Sequence, residues 1–84
     1  MITSQDSKKY YAVSKLDSLD LEKNVQSGYH EHVSSAIDEI SKNVKDILRS
    51  QGYSGKFEIF VEVYAKENGK SRLIQTVKLK INVN

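Results

Sequence analysis

The sequence predicts an α+β fold of order β-α-β-β: one long amphipathic helix packed on a three-stranded sheet with a C-terminal β-hairpin. Two patterns carry this expectation. Apolar residues recur at Val33, Ile37, Ile40, Val44 and Ile47, a 4-3-4-3 spacing that draws one stripe down a helix. Downstream, Phe57, Ile59, Val61, Val63 and Ala65 alternate with polar residues, and so do Leu73, Val77, Leu79, Ile81 and Val83, as strands with one buried face do.

The 84 residues read as a single domain over residues 8–84 behind a flexible tail, residues 1–7, whose small polar groups have no period. A chain this short buries a modest core. It contains no Cys, so neither a disulfide nor a thiolate zinc site can reinforce it. Association with a second copy is the usual supplement, and we expect a homo-oligomer. No apolar run approaches the roughly 18 residues of a membrane span, and the N-terminus lacks the apolar core of a signal peptide. The expectation is therefore a cytoplasmic protein with no membrane contact. Net charge is +2, and the basic excess lies in residues 52–84, which carry six basic and three acidic groups.

Residues 8–16, KKYYAVSKL, are rich in strand formers. Tyr10, Ala12, Ser14 and Leu16 share one face, with Tyr11, Val13 and Lys15 on the other. Residues 17–28 read as a short helical turn or a loop; the alternative is a continuous helix from Leu19 to Ser50, with Leu21 and Val25 extending the stripe upstream. The main helix is expected over residues 29–52. Ser27 is its candidate cap, Ala36 and Leu48 widen its apolar stripe, and Lys42, Lys45 and Arg49 suit the negative end of its dipole. Gly52 supplies a left-handed stop.

Between the last two strands lies Glu67-Asn68-Gly69-Lys70. A two-residue Asn-Gly turn would set Ile59 opposite Lys78 and mix the two faces. The pattern therefore predicts a three-residue loop, Glu67-Asn68-Gly69. Val63 would then meet Leu73, Ile59 would meet Val77 and Phe57 would meet Leu79.

That register leaves a second face unclaimed by the helix. Glu58 would lie opposite Lys78, Tyr64 opposite Arg72, Glu62 opposite Ile74 and Phe60 opposite Thr76. Phe60, Tyr64 and Ile74 then form an apolar island with Arg72 at its rim, the composition of a small interface. These four residues are the predicted partner-binding set. Exposed aromatics can also serve only to strengthen strand pairing.

Catalytic and metal chemistry find little support. His30 and His32 would point to opposite sides of a helix and cannot readily share a metal. Ser27-Gly28 before a helix has the polarity of an anion site, with no phosphate motif to strengthen it. No nucleophile elbow is present. We expect no enzyme activity, no cofactor and no metal. For nucleic acid, Lys56, Arg72, Lys78 and Lys80 are expected to share the outer face with Phe60 and Tyr64, although Glu58 and Glu62 in the same face would repel phosphates.

The function expected from the sequence is a self-associating protein-interaction module. The length and the Lys, Ser, Asn and Ile usage suit an accessory protein of a phage or mobile element that binds a host or partner protein. The alternatives are a nucleic-acid binder using the basic face, and an oligomer that sequesters a small anionic ligand.

Overall fold

The computed structural model describes residues 8–16 and 24–84. The expected tail, residues 1–7, and most of the ambiguous segment, including Leu21, lie outside the described residues. The elements are β1 (Lys9–Lys15), β2 (Asn24–Gln26), α1 (Val33–Ser50), β3 (Gly55–Glu67) and β4 (Lys70–Val83). They form one helix on a four-stranded antiparallel sheet of order β2-β1-β3-β4. The α+β class and the C-terminal hairpin stand. The three-stranded sheet and the β-α-β-β order do not, because a short strand precedes the helix.

That strand is where the expected helical turn would lie. Val25 faces the core from β2 and is buried there, so it does not extend the helix stripe. The chain stays extended beyond β2: Ser27 N–H donates to the Ala12 carbonyl at 2.8 Å, and Tyr10 and His30 exchange backbone hydrogen bonds. Ser27 does not cap the helix. Its buried hydroxyl accepts the Ala12 N–H at 2.8 Å and donates to the Gly28 carbonyl at 2.9 Å, joining β1 to the strap that leads into α1. The helix consequently begins at Val33, with His32 at the cap position and no side-chain cap bond.

The helix stripe is centred on Ala36, Ile40, Val44 and Leu48, all fully buried, with Val33, Ile37 and Ile47 half-buried beside it. It packs on Ala12, Leu16, Ile59, Val61, Val63, Ile81 and Val83. The helix ends as expected. Gly52 takes φ +86°, its N–H donates to the Arg49 carbonyl, and the Tyr53 N–H reaches the Leu48 carbonyl at 2.9 Å, a Schellman stop.

The hairpin corrects the predicted register. Glu67 pairs with Lys70, so the turn has two residues; Asn68 and Gly69 take φ 54° and 77°, the mirror-image turn that Asn-Gly favours. The face problem raised by that turn is solved six residues along. Tyr64 pairs with Leu73 but Val63 pairs with Gln75, leaving Ile74 as the extra residue of a β-bulge. Beyond it Val61 meets Val77, Ile59 meets Leu79 and Phe57 meets Ile81. Val77, Leu79, Ile81 and Val83 thus face the helix in either register. Between turn and bulge the faces differ: Leu73 points outward with Tyr64, and Arg72 lies on the helix side opposite Ala65.

Deleting Ile74 should leave every other pair of the hairpin in place. We expect a folded variant within about 1 kcal/mol of the parent by urea titration; with a three-residue loop the same deletion would turn the apolar residues of β4 outward and unfold the chain. Ser27→Ala should cost about 1–3 kcal/mol, because the buried Ala12 N–H loses its acceptor; an unchanged urea midpoint would refute that role.

Candidate interaction surface

The sheet face opposite the helix is built in rows by the pairing of β1, β3 and β4. Near the hairpin turn, Lys9 pairs with Lys66, and Lys66 with Ser71. The next row is apolar across three strands: Tyr11, Tyr64 and Leu73. Val13, Glu62 and Thr76 follow, then Phe60 with Lys78, Glu58 with Lys80, and Lys56 with Asn82. Among the described residues no element packs on this face. Phe60 is 65% exposed, Leu73 48% and Ile74 40%.

The aromatic rings hold one another. Tyr11 and Tyr64 stack with centroids 5.2 Å apart and planes 12° from parallel, and Tyr29 meets Tyr11 edge-on at 5.5 Å. Lys66 covers the Tyr29 ring at 4.9 Å and donates to its hydroxyl at 3.1 Å. The Tyr64 hydroxyl donates to the Glu62 carboxylate at 3.1 Å, which raises the phenol's pKa because ionisation would place a second negative charge there. Phe60 stands apart, with the Lys78 ammonium 5.7 Å from its ring centre.

Of the predicted partner-binding residues, Phe60 and Tyr64 lie on the open hairpin surface and Ile74 is exposed at the bulge, whereas Arg72 is carried to the helix side. There it lines a notch at the hairpin tip with Ala65, Glu67, Asn68, Lys70 and Ser71. The same displacement removes Arg72 from the basic set; Lys56, Lys78 and Lys80 remain together on the outer face. The expected opposite pairs also change. Glu58 faces Lys80, Phe60 faces Lys78, Glu62 faces Thr76 and Tyr64 faces Leu73. Tyr11, Val13, Tyr29 and Leu73 join the surface. Alternation along β1 already assigned Tyr11 and Val13 to this side. Leu73 had no such signal, because the bulge sets its direction, and Tyr29 falls on the extended strap rather than in the helix.

The candidate anion site before the helix is filled by the protein itself. The Gly28 N–H donates to Glu39 Oε1 at 3.1 Å, and His30 Nε2 donates to the same carboxylate. Glu39 therefore ties the strap to α1. Its pKa lies below the ordinary 4.5, mainly through the His30 hydrogen bond and next through the Gly28 N–H. His30 sits in the strap opposite Tyr10, and His32 caps the helix by backbone alone. Among the described residues no cluster of His, Asp or Glu could hold a metal ion, and no helix is long and apolar enough to cross a membrane.

No known protein family, curated protein or solved structure matches this chain.

A carboxyl whose pKa is depressed by folding stabilises the fold above its unfolded value, and that contribution disappears as pH falls through the lower folded value. Glu39→Gln should therefore lower stability at neutral pH and flatten its decline in acid. Urea midpoints measured against pH would show this; superimposable acid limbs for the two proteins would count against the tie.

Proposed function

We propose that the chain is a non-enzymatic protein-interaction module that works through the open face of its sheet. One observation carries this reading: among the described residues no element covers the apolar row of half-buried Tyr11 and Tyr64 with exposed Leu73, which crosses three strands, while exposed Phe60 stands further along β3 and Lys9, Lys66, Lys78 and Lys80 frame the face. An apolar centre inside a charged rim is the anatomy of a protein interface.

The free edge of β4 is a poorer docking site. It carries Lys70, Lys78 and Lys80 along with the Ile74 bulge, the devices that discourage an edge strand from pairing with another chain. Partner binding is thus assigned to the face and not to strand addition.

Single-stranded nucleic acid is the second reading, kept by the exposed Phe60 ring beside Lys78. The stacked Tyr11 and Tyr64 rings have their inner faces occupied by each other, and Glu58 and Glu62 oppose phosphate, so this reading is the weaker. It requires affinity for an oligonucleotide that falls steeply with salt; absence of a gel shift at low salt removes it.

A docking face can be made charged without harm to the monomer. Phe60→Glu combined with Leu73→Glu should abolish association seen by light scattering while keeping stability within about 1 kcal/mol of the parent when both are unfolded dilute enough to be monomeric. A clear loss of stability would return these side chains to a purely structural role.

A further inference from the structure

The outer surface of the β3/β4 hairpin is self-complementary about its own long axis. Its pairs are Lys56 with Asn82, Glu58 with Lys80, Phe60 with Lys78, Glu62 with Thr76, Tyr64 with Leu73 and Lys66 with Ser71. None joins like charges, and each apolar member meets an apolar group or a cation that suits its ring. A two-fold axis lying midway between β3 and β4, parallel to them and just above the sheet, would lay β3 of one copy over β4 of another at the same level. Every cross-strand match within one chain would then recur between chains.

We infer that the occupant of this face is a second copy of the chain, docked sheet on sheet about that axis. The inference rests on the reading of the face as a protein-docking surface, and it names the partner. In this arrangement Glu58 meets the partner's Lys80, Phe60 meets the partner's Lys78, and Tyr64 meets the partner's Leu73, each contact occurring twice. Lys56 and Lys66 fall opposite Asn82 and Ser71 near the two ends of the hairpin, where water can solvate them.

Two of the other two-fold arrangements bring like charges together, and a third, about an axis across the strands at Tyr64, pairs Glu62 with Lys66 but leaves Glu58 and Lys80 without each other, so exchange of those two charges distinguishes it. An axis along β3 stacks Glu58 and Glu62 on their own copies. An axis across the strands at the level of Glu62 again sets that carboxylate on its twin. Two inner sheet faces pack about 10 Å apart, so such repulsions would sit in a partly dehydrated layer where they cost more than in water.

Charge exchange tests the geometry. Light scattering should give about twice the 9.6 kDa chain mass for the parent. Glu58→Lys and Lys80→Glu should each weaken self-association by at least about tenfold, since each places like charges opposite one another twice. An equimolar mixture of the two variants should restore the dimer, because one copy then offers lysines where the other offers glutamates. The combined Glu58→Lys/Lys80→Glu chain should also self-associate. Thermal unfolding of each variant separates lost association from lost folding. A dimer that tolerates both exchanges, or variants that fail to rescue each other, would overturn the arrangement. A parent that stays at 9.6 kDa would overturn it too; if the Phe60→Glu/Leu73→Glu protein is then as stable as the parent, the face is left to a different protein, and if it is less stable, the docking reading falls as well.

Discussion

One extra residue in β4 decides which side chains of the hairpin meet the helix and which meet solvent. The Asn68-Gly69 turn is the tightest that two antiparallel strands allow, and its twist suits them. Continued without interruption, it would set Ile59 opposite Lys78 and force either an apolar residue out or a lysine in. Ile74 absorbs the mismatch as a bulge, so Val77, Leu79, Ile81 and Val83 reach the helix side. The core over α1 and the apolar row over the open face both depend on this local irregularity.

The same irregularity shapes the surface. Between turn and bulge, Leu73 swings outward to complete the row with Tyr64 and Tyr11, while Arg72 swings to the opposite side. The bulge also roughens the β4 edge of the sheet, along which Lys70, Lys78 and Lys80 lie. An edge that resists pairing and a face that no described element covers are what support the proposal that partners dock on the face. The tyrosines there are held by contact with one another, so little of their side-chain freedom would remain to be lost in the proposed docking.

On the other side of β1, a strap of extended chain is held by polar contacts where apolar area is scarce. Ser27 supplies an acceptor to the Ala12 N–H, and Glu39 gathers Gly28 and His30 against α1. A helix start with these residues in its first turn would leave the Ala12 N–H unpaired, and unpaired buried amides are costly. Sheet extension therefore prevails over the local preference for a capped helix.

Strand-forming residues marked β1 and a glycine after the helix marked the left-handed stop at Gly52, while periodicity identified α1, β3 and β4 and the helix-facing residues of β3 and most of β4. The latter follow from the chain's own repeats of 3.6 and 2, which burial enforces over many residues at once. Phe60 and Tyr64 were likewise legible as facing away from the helix, since alternation along β3 assigns them there, whereas Ile74 belongs with them only in a register that the bulge replaces. The β2 strap, the role of Ser27 and the placement of Arg72 and Leu73 were decided only by the folded chain. Each depends on a hydrogen-bonded partner distant in sequence, or on where a ladder chooses to take in one residue, and a short stretch of sequence carries no period that reports either.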